Sequence, residues 1–282
     1  MIKIQLKFLL YNTLISIVLY FCPVKINSIK IKRLLGALVV VFALSSSFHK
    51  LDSTNKKSAL PKGIKDTLAL PKSLETPMNS AVVTSSSFVY SKLIFEDAVL
   101  SEIVFEKAFR GFENLKKAGE LSDEAYLLTI CDFSKSSNEK RLWVIDTNEG
   151  KVLFNSLVAH GKNTGEEFAQ QFSNTESSLQ SSLGFYITNE TYFGENGYSL
   201  RLIGMDKGFN DAAEKRAIVM HGADYVSADF ALKHKRIGRS WGCNAVPREV
   251  AEPLINTIKS NQVLFIYYPD EGYLKSSRWL NS

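Results

Sequence analysis

Histidine and cysteine are scarce in this chain, with four of the first and three of the second in 282 residues. There is no HExxH and no CxxC. A zinc site would need residues such as His160, His221 and Cys243 to converge from afar, so neither a metal nor another cofactor is expected. GxGxxG and P-loop patterns are also missing, which removes two phosphate-cradling chemistries. No segment repeats, and no basic patch is interleaved with aromatics, so nucleic acid is not an expected partner. Nor does any apolar run reach the ~20 residues that cross a bilayer as a helix.

The formal charge of +5 is unevenly spread. Residues 1–72 hold 12 Lys/Arg against 2 Asp/Glu, and residues 73–282 hold 22 against 27. The basic excess thus lies beside two short apolar runs, Phe8 to Cys22 and Leu34 to Leu44. Lys25, Lys30, Lys32 and Arg33 separate the runs, and Ser45, Ser46 and Ser47 follow the second. Positive charge before an apolar core and small polar residues after it is the order of an export signal. Residues 1–47 therefore read as an export signal or membrane anchor, the only expected membrane contact. The expected location is the periplasm or cell envelope.

Residues 48–90 are rich in Ser, Thr, Lys and Pro and read as a flexible spacer. From Phe95 through Val99, Ile103, Phe105, Ala108, Phe109 and Phe112, apolar residues recur at steps that include three and four. That spacing predicts one long or two short helices and a helical subdomain over 91–123. Beyond it the period shortens. "AYLLTICDF", "KRLWVID", "KVLFNSLVAHG", "LGFYIT", "SLRLIGM", "RAIVMHG" and "QVLFIYYP" read as strands, with Thr147 to Gly150 a hairpin turn and "NETYFGENGY" a polar loop. "REVAEPLINTIKS" reads as a helix despite Pro253. The expected class is α+β, mainly β, with a catalytic domain over 124–282.

The most informative stretch is "GRSWGCNAVP", residues 238 to 247. A cysteine nucleophile needs a base or cation to make the thiolate and donors for the oxyanion it generates. Cys243 follows Gly242, whose missing side chain leaves room over the backbone. The strand "RAIVM" delivers His221 at its end, with Gly222 next. Cys131, by contrast, sits in an apolar strand. Export would permit a disulfide between the two, but their unlike surroundings suggest different roles.

His221, Ser240, Gly242 and Cys243 resemble the motif of the YkuD-type L,D-transpeptidases: a His, a gap, then Ser/Thr-His-Gly-Cys, an apolar residue and Asn or Arg. The resemblance is to a divergent branch, the murein L,D-transpeptidase catalytic-domain proteins, and runs from about Phe95 to Asp270 through "FSKSSNEKRLWVID", "VAHGKNTG", "SLRLIGMDKGFNDAAEKRAIVMHGADYV" and "LFIYYPD". Trp241, Asn244 and Ala245 depart from the commoner motif, and the gap between His221 and Cys243 is longer than usual. The resemblance implies a mainly β YkuD-like fold and peptidoglycan stem peptides as substrate. Cys243 would attack the carbonyl before the terminal D-Ala, His221 would accept the thiol proton, and the Gly222 carbonyl would orient the imidazole. A second stem's amine, or water, would resolve the thioester. A carboxypeptidase or cross-link hydrolase with the same residues, and a non-catalytic murein-binding protein, are the alternatives.

Around this pair, His160 ends a strand in a second His-Gly arrangement and is expected to border the substrate cleft. Arg239 either clamps a substrate carboxylate or forms a surface ion pair. Ser240 is expected to brace the turn, Trp241 to wall the pocket and Asn244 to face substrate. Lys233 to Arg236, with His234, reads as a solvated loop, and Arg201 and Arg216 as outward-facing strand residues.

Overall fold

The computed structural model describes residues 80–282, with side chains from residue 86. The stretch read as an export signal or anchor, and most of that read as a spacer, lie outside the described residues. No described helix is long and apolar enough to cross a membrane.

Two helices come first, α1 (Ser80–Lys92) and α2 (Glu102–Lys117). The first falls partly within the stretch read as spacer. It is tied down because Val89 and Leu93 are buried and Tyr90 packs on Phe95 and Phe105. Residue Phe95 precedes α2, and Val99 and Ile103 stay exposed. The buried face of α2 is Val104, Phe105, Ala108, Phe109, Phe112 and Leu115, the three-and-four spacing of an amphipathic helix. A Cβ on Gly111 would lie 2.0 Å from a ring atom of Phe185, so glycine is what lets α2 approach the sheet. These side chains join the sheet's own core cluster.

The sheet holds eight strands: β1 (Leu127–Asp132), β2 (Leu142–Asp146), β3 (Lys151–Ser156), β4 (Gly184–Gly194), β5 (Gly197–Gly204), β6 (Val219–Ala223), β7 (Asn244–Pro247) and β8 (Val263–Tyr267). Their order is β3-β2-β1-β8-β4-β5-β6-β7. β1 with β8 and β6 with β7 are parallel, and the other neighbours antiparallel. The class is α+β and mainly β, as the sequence patterning indicates. One stretch differs. "NETYFGENGY" is not a loop: β4 continues through it after a register shift between Thr188 and Thr191, and Tyr192 and Phe193 pair with Ser199 and Tyr198. Branched and aromatic residues favour strands even where one face is open to water.

Four helices complete the fold: α3 (Ala228–His234), α4 (Arg248–Ile258), α5 (Glu271–Ser276) and α6 (Arg278–Asn281). Pro253 lies inside α4, which forfeits one helical hydrogen bond yet buries Ala251, Leu254, Ile255 and Ile258.

Candidate active site

β6 and β7 run parallel, with Met220 opposite Asn244 and His221 opposite Ala245. Side chains alternate across a strand. Met220 and Val246 enter the main core, whereas Ala223 and Ala245 join a small cluster with Ala159, Val226 and Ile237. His221 therefore stands on the small cluster's face. Cys243, two residues before Ala245, reaches the same face level with Val219, ~6.6 Å along the strand from the level of His221.

His221 is buried, and its Nδ1 lies 3.1 Å from the Gly222 carbonyl oxygen. A carbonyl can only accept, so Nδ1 carries the proton and Nε2 keeps its lone pair. Burial holds the imidazole below its ordinary pKa; the Gly222 bond opposes this and the Arg248 charge adds to it. Gly222 is required by packing, since a Cβ there would lie 2.9 Å from Cβ of Ala251 in α4.

The Cys243 thiol is half-buried, and its Sγ donates to the Ala217 carbonyl at 3.6 Å. Burial pushes the thiol up, while the Val219 N–H and the Arg216 charge pull it down. Among the described residues no hydrogen bond joins Cys243 to His221. The fold sets His221 on β6 and Cys243 in the bend just before β7, with the sulfur turned toward the start of β6. Cys131 is a free, fully buried thiol pushed up to about 12, mainly by burial, and no disulfide forms.

The turn before Cys243 is braced as expected of Ser240. Its Oγ donates to the Cys243 carbonyl at 2.7 Å and accepts from the Gly242 N–H at 3.0 Å. Gly242 has φ +121°, and a Cβ there would meet the Gln180 carbonyl oxygen at 2.8 Å, so only glycine fits. A cleft of about 490 Å³ shares Gln180 with this turn and is also lined by Gln171, Phe172, Asn174, Phe209 and Asp270.

Several site expectations change. His160 is buried, and its ring is engaged by its neighbours: its Nδ1 accepts from Arg141 at 2.9 Å and its Nε2 faces the Glu166 and Gly165 carbonyls at 3.1 and 3.3 Å. Its backbone carbonyl accepts from the Ser240 N–H at 3.0 Å, so it supports the motif from behind. Arg239 is engaged through Nη1, which donates to the Lys162 and Gly165 carbonyls and to Glu166 at 2.7 Å, so it forms an ion pair within the protein. Asn244 points into the main core, fully buried, with neither amide atom hydrogen-bonded. Trp241 is 77% exposed. Lys233 and His234 end α3 rather than forming a loop.

Arg216 differs from its reading as an outward-facing strand residue, and Tyr225 escaped the sequence reading. Arg216 is not on a strand, because β6 begins at Val219; its guanidinium reaches back toward the Cys243 turn. Tyr225, whose hydroxyl is pushed up to about 12 by burial and by Cys243, lies beneath Gly238. Neither shows in periodicity, because both sit in turns.

A family model described as the L,D-transpeptidase catalytic domain matches residues 96–267, more than half of the chain. A comparison with curated proteins returned no match. Among solved structures, an L,D-transpeptidase from Mycobacterium smegmatis is similar at 12% identity and a TM-score of 0.32, over 51% of this chain and 59% of that one. One from Stackebrandtia nassauensis has 12% identity and a TM-score of 0.32, over 68% and 91%. One from Mycobacterium tuberculosis H37Rv has 14% identity and a TM-score of 0.30, over 51% and 58%. The chain thus spans under two thirds of the length of both mycobacterial enzymes. On the match over residues 96–267, which contains both His221 and Cys243, the chain belongs to the family of L,D-transpeptidase catalytic domains.

Proposed function

We propose that this chain is an exported cysteine acyltransferase acting on murein stem peptides, with Cys243 as nucleophile and His221 as its base. The observation that carries the reading is the His221 tautomer. Its Nδ1–H is fixed on Gly222, and its free Nε2 shares a face with the thiol.

In the reaction, the thiol leaves the Ala217 carbonyl and gives its proton to Nε2 of His221. The sulfur attacks the carbonyl preceding the terminal D-Ala. Gly242 N–H is already committed to Ser240, so the Cys243 N–H is the oxyanion donor at this turn. The imidazolium returns the proton to the departing D-Ala amine and leaves a thioester. A second stem's amine then forms the cross-link and regenerates the thiol. The N-terminal 47 residues act as the export signal or anchor that delivers the domain to the envelope.

The test is mass spectrometry of products after incubating the full chain with disaccharide-tetrapeptide, beside Cys243→Ala. Dimers lacking one D-Ala, absent in the variant, support transpeptidation. Tripeptide alone shifts the reaction to carboxypeptidase. Unchanged substrate that nevertheless binds would favour a murein-binding protein.

A further inference from the structure

We propose that Arg216 is the counter-ion of the Cys243 thiolate, a positioning residue that ties the nucleophile's turn to the 173–182 segment. The inference deepens the function proposed above and rests on Cys243 being its nucleophile.

The geometry begins with the chain's approach to β6. Residues 206 to 217 form successive turns closed by Ala213 N–H on Asn210, Arg216 N–H on Ala212 and Ile218 N–H on Ala213. They end at Ala217 in the left-handed region, φ +51°. An L-residue there costs about 1 kcal/mol, and such strain persists only where surrounding structure enforces it. Here it points the Ala217 carbonyl at Sγ of Cys243 and sets the neighbouring Arg216 side chain beside Gly242.

Arg216 is half-buried and firmly held. Its Nη1 donates to the Ser173 carbonyl at 2.7 Å and to the Ser182 hydroxyl. Its Nη2 donates to the Gln180 carbonyl at 2.6 Å and the Ser178 hydroxyl at 3.2 Å. All four acceptors are neutral. Among the described residues no carboxylate pairs with it, and the ionisable groups that its charge meets are Tyr186 and Cys243. Tyr186 is buried and stays a phenol, its pKa raised by burial. A Cβ on Gly242, the residue joined directly to Cys243, would lie 3.4 Å from Nη2.

A cation removed from water without an anion is expensive unless a negative charge arises beside it. The group there that can become negative is the thiol. When the thiol proton passes to Nε2 of His221, the result is a thiolate and an imidazolium, and Arg216 balances the thiolate. The other ionisable group that meets this sulfur is Tyr225, uncharged at neutral pH. Because the same guanidinium holds Ser173, Ser178, Gln180 and Ser182, it also fixes the edge of the Gln180-lined cleft against the nucleophile.

The test reads the thiol without murein. The full chain is alkylated with iodoacetamide across pH, and labelling at Cys243 is located by peptide mass spectrometry in wild type, Arg216→Gln and Arg216→Lys. Opposite charges this close shift an ionisation by roughly one unit or more. Arg216→Gln is therefore expected to move the profile to higher pH and slow labelling at neutral pH about tenfold, and Arg216→Lys to stay near wild type. An unmoved profile in folded Arg216→Gln, or an equal shift in Arg216→Lys, overturns the proposal. Should Arg216→Gln fail to fold, Ser178→Asp sets a carboxylate on the same Nη2. Slower labelling supports the role, and an unchanged rate sinks it. Turnover of disaccharide-tetrapeptide on the same samples keeps the two readings apart. An inactive wild type whose labelling still depends on Arg216 would refute the function and leave the counter-ion standing.

Discussion

His221 donates its Nδ1 proton to the carbonyl of Gly222, 3.1 Å away, and so presents Nε2 as a lone pair on the face that also carries Cys243. Burial lowers the pKa of the imidazole below 6.5 and raises that of the thiol above 9.0, so both partners are neutral at pH 7. The productive pair holds one proton between them. Adding a second blocks the base, and removing the last takes away the acid needed by the leaving amine. Turnover against pH is expected to be a broad bell, with its acid limb below 6.5 and its alkaline limb above 9.0. A narrow optimum near pH 6 would contradict a neutral pair.

Gly242→Ala tests how closely the Cys243 turn is built. The new Cβ would meet the Gln180 carbonyl oxygen at 2.8 Å at a backbone φ of +121°. Strain at such a position costs of order 1–3 kcal/mol. Thermal melting should fall accordingly, and labelling of Cys243 should change because Gln180 also accepts from Arg216. A melting temperature equal to wild type would show that the 178–182 segment yields freely.

Asn244 gives the opposite sign. It is fully buried on β7 with both amide atoms unpaired, and a buried polar group without a partner costs about 1–3 kcal/mol. Asn244→Val removes both atoms and suits a strand. It is expected to raise stability by about 1 kcal/mol and leave turnover unchanged, since no substrate reaches the side chain. A loss in a chemical-denaturation curve would mean that the amide is satisfied by a buried water.

The pattern of what was legible follows from these positions. Strands with near-continuous apolar runs, such as β1, β2 and β8, announce themselves because they are buried on both faces. The Cys243 motif is readable because its chemistry is local: Ser240, Gly242 and Cys243 make one turn. Arg216 was misplaced on a strand and Tyr225 was missed, since what places them is the coil before β6 and the crossing after it. Asn244 was misread for a related reason. Neighbouring residues on a strand face opposite ways, and adjacency to Cys243 sends Asn244 into the core. His160 shares a His-Gly spelling with His221 but meets a buried guanidinium instead of open space.

That last contrast has a stability consequence. Burial and Arg141 lower His160 to about 4, opposed by the Gly165 and Glu166 carbonyls. Arg141 donates to Nδ1, so protonating the ring would set two cations face to face and break the bond. In the unfolded chain the same ring titrates near 6.5. Between those values the unfolded state binds more protons, so unfolding free energy falls as pH drops from 6.5 toward 4, by about 3 kcal/mol in all. Asp132 and Asp206, whose pKa values are raised by burial, act with the opposite sign. The His160 share is therefore isolated as the difference between wild type and His160→Gln in urea unfolding at pH 7, 5.5 and 4. The variant should be less stable than wild type at pH 7 and lose less on acidification. Parallel losses in the two chains would mean that His160 titrates alike in the folded and unfolded states, so that burial beside Arg141 does not lower it.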